Sequence, residues 1–244
     1  MTDVRALTLK QIVTDNFRAA AVFEKYSLDF CCRGGKTIDE ACGEKSLNAE
    51  TVLADLGEAM AVADQSEVSF DALPLDELID YIVLKHHTYV RNAIPVLAAH
   101  TAKVSSVHGA NHPEAVAIAG RFAVVANELQ HHMMKEERIL FPYIKHLVDA
   151  SNRQFMISAP PFGSAQNPIR MMEAEHESAG DEMYGIRALS ASYTPPDDAC
   201  TTFRTSYKEL EDFEKDLHQH IHLENNILFP KSLALEAKVL SMNN

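Results

Sequence analysis

The chain has no tryptophan, and only 9 glycines and 10 prolines in 244 residues. So little turn-forming material disfavours a β protein of many short strands and suits long helices. Cysteine is scarce too. The four present, Cys31, Cys32, Cys42 and Cys200, form no CxxC pair and no spacing that reads as a disulfide framework. That removes a structural zinc site, and a chain of this size in a reducing compartment needs no covalent staples. Lys and Arg number 22 against 35 Asp and Glu, a formal net charge of -13. An acidic surface repels phosphate backbones, so nucleic acid is excluded as a partner. No apolar run approaches the ~20 residues that span a bilayer. The start, Met1 to Val13, shows neither an apolar leader core nor a small-residue cleavage site. The sequence therefore reads as an unprocessed cytoplasmic chain with no membrane partner.

What is present is hydrophobic residues in helical order, at 46% of the chain. Residues 1–65 read as a small helical N-terminal domain. Thr8 is placed to cap a helix through Tyr26, and Asn48 another to about Ala63. Between them lies Asp29-Phe30-Cys31-Cys32-Arg33-Gly34-Gly35, and the polar stretch from Asp64 to Ser69 reads as a linker. Residues 72–244 carry four long helical patterns, which with modest loops predict an antiparallel four-helix bundle in an all-α protein. The first pattern, Leu75 to Lys103, places Ile79, Val83, His87, Val90, Ile94 and Leu97 on one stripe, with Pro95 as a kink. The second runs from Pro113 to Val148, the third from an Asn167 cap to Ala191, and the fourth from beyond Pro196 to Ala237.

A repeat carries the chemistry. The segments from His132 through Glu136 to Pro142 and from His220 through Glu224 to Pro230 both read HxxxExxILFP, 88 positions apart. Upstream, His87 precedes His132 by 45 positions and His176 precedes His220 by 44. Two similar helical hairpins follow, each with one histidine on its first helix and a His/Glu pair on its second. Residues at i and i+4 share a helix face, so each pair can present an imidazole and a carboxylate to one ion. Four imidazoles and two carboxylates, a mixed N/O set, suit iron or manganese more than zinc. Without metal, burying six such groups is costly. The metal ligands are thus His87, His132, Glu136, His176, His220 and Glu224.

Neighbouring residues sort by phase. His86 adjoins His87 and His131 adjoins His132, about 100° apart on a helix, so only one of each pair is expected to face the core. His218 and His222 lie nearly opposite His220, where they offer a surface zinc pair as a minor reading. His108 falls at the bundle end, and His100, His112 and His146 read as solvated or capping residues. Glu128, one turn before His132, and Glu175, beside His176, are candidates to orient ligands or relay protons behind the metals, or else ordinary surface glutamates.

The blocks HHMMKEERILFP, EAEHESAG and HIHLENNILFP, with DFCCRGG upstream, resemble the repair-of-iron-centres family of hemerythrin-like di-iron proteins over nearly the whole chain. The resemblance implies two non-haem irons, oxo- and carboxylate-bridged, in the bundle. It also implies repair of iron–sulfur clusters damaged by nitrosative or oxidative stress, with iron donation as the route. The implied partners are nitric oxide or dioxygen and damaged iron–sulfur proteins, with a homodimer left open. Two other functions remain: nitric oxide reduction, and gas buffering or sensing without turnover. Typical oxygen-carrying hemerythrins use five histidines, whereas four fit symmetrically here, which argues against simple oxygen storage. Cys31 and Cys32 read as transfer thiols, exposed by the glycine-rich turn beside Arg33, or as two small buried hydrophobes. Cys42 and Cys200 read as structural.

Overall fold

The computed structural model describes residues 4–31, 34–61 and 70–241. Cys32, Arg33 and the expected linker from Asp64 to Ser69 lie outside the described residues. The chain divides into two compact units, Met1–Pro74 with Ile221–Pro230, and Leu75–His220 with Lys231–Asn244. No helix among the described residues is long and apolar enough to cross a membrane.

In the first unit, Thr8 starts α1 (Leu9–Asp15) through a capping box with Gln11. The expected continuation to Tyr26 is broken. Asn16 turns extended, its side chain accepts from Arg18 N at 3.0 Å, and α2 (Ala19–Lys25) begins anew. A further helix, α3 (Ile38–Glu44), is capped reciprocally by Thr37 and Glu40. The last, α4 (Ala49–Ala61), starts as expected at Asn48, whose side chain accepts from Glu50 N at 2.9 Å. Leu9 N donates to Lys36 O and Lys10 N to Gly34 O. Gly34 is required there, because a Cβ would stand 2.2 Å from Phe30 O. Leu9, Ile12, Phe23, Phe30, Ile38 and Leu56 are all buried.

His222 belongs to this unit and is buried, so it is no surface zinc ligand. Its ring lies 5.9 Å from those of both Phe17 and Phe30. Asn226 Nδ2 donates to Nδ1 at 3.0 Å and also reaches Phe30 O. Burial holds this imidazole down to about 4 from 6.5. A base depressed on folding stabilises the fold above its unfolded value, and that contribution is lost as pH falls from about 6.5 to about 4. At about 1.4 kcal/mol per unit, roughly 3 kcal/mol is at stake. Denaturant melts at pH 7 and pH 4.5 are expected to show this acid loss in the parent and a smaller loss in His222→Phe. Equal losses would refute the assignment.

The second unit is the helical bundle. The first bundle helix comprises α5 (Leu75–Ile82), a π-helical turn Val83–His87 and α6 (Thr88–His108), which continues through Pro95. The second comprises α7 (Pro113–Lys135), a π-helical turn Glu136–Leu140 and α8 (Phe141–Arg153). The third is α9 (Gln166–Leu189). The fourth, which passes through the residues grouped with the first unit, comprises α10 (Thr201–Leu223), a π-helical turn Glu224–Leu228 and α11 (Phe229–Ser241). The α7 helix packs against both α6 and α9.

The wide turns have local causes. Pro142 and Pro230 end the two repeat motifs, lack an N–H, and crowd the carbonyl four residues back. The helix relieves this by widening one turn before each proline. At Val83–His87 no proline follows, and the Thr88 hydroxyl donates to Val83 O at 3.2 Å instead. Widening turns Leu84 and Ile139 out to solvent, at 77% and 47% exposure, so it costs apolar burial.

The third helix does not start at an Asn167 cap. Asn167 lies within the first turn and its Nδ2 donates to Phe162 O, while buried Glu236 accepts from Ala165 N at 2.9 Å and Ser164 Oγ at 2.7 Å. A carboxylate at a helix N-terminus is favoured by both hydrogen bonding and the dipole. Beyond α9, Ala191, Ser192 and Tyr193 are all left-handed, with φ of 49°, 56° and 59°. Glu214 holds this turn down: it accepts from Tyr193 Oη at 2.9 Å and Arg187 Nε at 2.8 Å.

Candidate metal centre

Each of His87, His132, Glu136, His176, His220 and Glu224 is at most 1% exposed. They form two overlapping groups, His87, Glu136, His220, Glu224 and His132, Glu136, His176, Glu224. In each group one ligand atom per residue lies within 4.8 Å of all the others. Glu136 and Glu224 are common to both. His87 Nε2 and His220 Nε2 are 3.2 Å apart, and His132 Nε2 and His176 Nε2 are 3.0 Å apart. Glu136 Oε2 stands 3.4 Å from His87 Nε2 and 3.3 Å from His132 Nε2.

The far side of two rings explains their orientation. His87 Nδ1 donates to Glu137 Oε1 at 2.6 Å, and Arg91 pairs with the same oxygen. His132 Nδ1 donates to Glu175 Oε2 at 2.9 Å, and Lys135 pairs with Oε1. Partial burial pushes the Glu137 carboxyl up, but hydrogen bonds from His87 and Arg91 outweigh it and hold it below the usual carboxylate range. The hydrogen bond from His132, then Lys135 against burial, holds Glu175 down to about 2. With Nδ1 donating, Nε2 carries the lone pair and points inward. Imidazole lone pairs and two carboxylates thus converge in a dry core. Such an acceptor-rich cluster fits a cation and is costly without one. Four nitrogens and two shared carboxylates fit a pair of iron ions.

Of the two residues expected behind the ligands, Glu175 stands there and Glu128 does not. Glu128 is half-buried and accepts from Ser178 Oγ at 3.2 Å. Glu137, Arg91 and Lys135 escaped the sequence reading. Their signals were available: Glu137 directly follows Glu136, Arg91 lies four residues after His87, and Lys135 three after His132.

The rule that one of two adjacent histidines faces inward holds for His131, which is exposed and bonded to Asn127 O. It fails for His86. Both His86 and His87 are fully buried, because the wide turn changes the helix phase there. His86 Nδ1 lies 3.0 Å from Asp216 Oδ1, and its ring stacks on that of His220 with 9° between planes. Of the remaining histidines, His218 is half-buried, His100 bonds Glu209, and His146 lies against Phe155. His112 is at the start of α7 between Glu114 and Asp198, whose hydrogen bonds raise its pKa.

Cys31 is buried rather than exposed, with its N 3.0 Å from Asp29 Oδ1. Cys42 is buried too, and burial raises its thiol. Cys200 is exposed, so a packing role does not describe it. Its Sγ lies 3.2 Å from His108 Nε2, which gives His108 its place at the bundle end.

Residues 78–232 match the family described as Hemerythrin HHE cation binding domain. Residues 6–60 match Domain of Unknown function (DUF542). The chain is similar to proteins named iron-sulfur cluster repair protein YtfE. It is 39% identical to that of Musicola paradisiaca (strain Ech703) over 90% of this chain and 93% of the relative. It is 36% identical to that of Escherichia coli O8 (strain IAI1), with the same coverage. The four histidines and two glutamates of the duplicated motif all lie within the hemerythrin match. The chain belongs to the repair-of-iron-centres family of hemerythrin-like proteins.

Proposed function

We propose that this protein repairs iron–sulfur clusters damaged by nitrosative or oxidative stress, with two iron ions held by His87, His132, Glu136, His176, His220 and Glu224. The observation that carries this reading is the pair of overlapping buried groups sharing Glu136 and Glu224. The names of the relatives supply the substrate class. Bound iron would supply a Lewis-acidic, redox-active pair able to bind nitric oxide and to be donated. The protein's part is to hold four imidazoles with Nε2 inward, balance charge with two carboxylates, and keep bulk water out of a core in which every proposed ligand is buried. Glu137 and Glu175 hold the Nδ1 protons of His87 and His132. We assign the paired thiols Cys31 and Cys32, in the N-terminal domain of residues 1–65, to transfer between this centre and the damaged partner, a role that requires the buried Cys31 thiol to be uncovered when the partner docks.

The test mixes iron-loaded protein with a hydratase whose iron–sulfur cluster has been nitrosylated, and follows hydratase recovery and gas product together. Recovery without nitrous oxide is the expected result. Nitrous oxide without recovery would make the protein a reductase instead. The double variant Cys31→Ser/Cys32→Ser is expected to keep its iron and lose most repair. Full repair by the folded variant would reduce the cysteines to packing residues.

A further inference from the structure

The carboxylates behind the histidines distinguish two pockets that otherwise share their glutamates. His87 belongs only to the group with His220, and His132 only to the group with His176, whereas Glu136 and Glu224 serve both. A change at a shared glutamate acts on both pockets. A change behind one histidine acts on one. Glu137 stands behind His87, 2.6 Å from its Nδ1, and is itself held by Arg91. Glu175 stands behind His132 at 2.9 Å and is held by Lys135. In each case the carboxylate comes from a different helix than its histidine. Glu137 follows α7 and reaches the turn before α6, while Glu175, on α9, reaches α7.

We propose that Glu137–Arg91 and Glu175–Lys135 are positioning pairs that set iron retention pocket by pocket, each through the one histidine it holds. This rests on the reading of the six buried residues as iron ligands. The hydrogen bond at Nδ1 fixes the tautomer, stops ring rotation and makes Nε2 a stronger donor to a metal. The backing groups are also reachable. Glu137 and Glu175 are 28% and 30% exposed, against at most 1% for the histidines, so they can be altered without opening the core. The two pairs are not equivalent. The Arg91 guanidinium is a rigid planar fork, the Lys135 ammonium a point charge on a flexible stem, and the first is the firmer support. A protein that donates iron gains from this arrangement, because one pocket can release while the other holds.

The experiment loads the full-length protein anaerobically with ferrous iron, counts iron per chain, and follows release to a coloured ferrous chelator. In Glu137→Ala, half of the iron is expected to leave on the order of 10- to 100-fold faster while the other half keeps the parent rate. Glu175→Ala is expected to show the same split from the other pocket, and the double variant a single fast phase. Glu137→Gln keeps an acceptor oxygen for Nδ1 and is expected to fall between parent and alanine variant. A merely structural role would lower the melting temperature, read by circular dichroism, without splitting the release trace. Release at the parent rate, or equally accelerated release of all the iron, overturns the proposal alone. A parent protein that takes up no iron pair overturns the ligand reading and this proposal with it.

Discussion

Alanine at His132 or His220 is expected to cost the protein the iron of the pocket that each histidine belongs to, while alanine at His131 or His218 leaves iron content unchanged. His132 and His220 are buried with Nε2 atoms 3.0 Å and 3.2 Å from a second inward histidine. His131 is exposed and occupied by the carbonyl of Asn127, and His218 is half-buried and in neither ligand group. Losing a direct ligand should exceed the 10- to 100-fold affinity loss that follows from disturbing a residue behind one. Glu136→Ala is expected to be the most damaging of all, since its carboxylate is common to both groups. Metal analysis of variants purified side by side, with circular dichroism to confirm folding, checks the series. Equal iron loss at His131 and His132 would show that the helix phase is wrong.

Arg187→Met is expected to produce the largest loss of stability. It leaves the Glu214 carboxylate, 3% exposed, without its guanidinium. Breaking a buried ion pair from one side costs about 3–5 kcal/mol. Part of that loss falls on the left-handed turn Ala191–Ser192–Tyr193, which Glu214 anchors through Tyr193 Oη. For a chain of this size each kcal/mol shifts the melting temperature by roughly 2–4 °C, so a fall of about 10 °C is expected. The double variant Arg187→Met/Glu214→Leu should recover only part of it, because removing both charges removes the desolvation cost but also the acceptor that buried Tyr193 Oη uses. A single variant that melts with the parent would mean that water reaches Glu214.

The bundle and the convergence of six buried histidines and glutamates within it were legible in the sequence because both depend on covalent spacing. A histidine and a glutamate four residues apart share a face whatever packs around them. The duplication at His132–Glu136 and His220–Glu224 turned a common pattern into a specific one. What was not legible depends on tertiary contact. His222 looked like a surface residue by phase, yet Phe17 and Phe30 bury it. Asn167 looked like a cap, yet Glu236 from a distant helix serves the start of α9. Cys200 looked like packing, yet it is exposed beside His108. Glu137 was not legible because, in the Glu136-Glu137 doublet, only Glu136 has a counterpart in the repeat, and the position matching Glu137 is Asn225. His86 was misjudged for a geometric reason: the 100° rule assumes an unbroken α-helix, and the backbone widens at Val83–His87.

Those wide turns have a consequence for the helices that contain them. An extra residue in an α-helix advances the phase by about 100°, so the segments on either side of a wide turn run in different registers. Each turn works as a vernier between two scales. Before Val83 the apolar stripe is read in one register, with Leu78, Ile79 and Ile82 buried, and after His87 in another, with Val90, Ile94 and Leu97 buried. The offset lets a helix bring His86 and His87 inward side by side and still present an apolar face at both ends. Shortening such a turn by one residue, for instance by deleting solvent-facing Leu84, would close the vernier. One of the two stripes would then have to face water, or the histidines would have to leave the core.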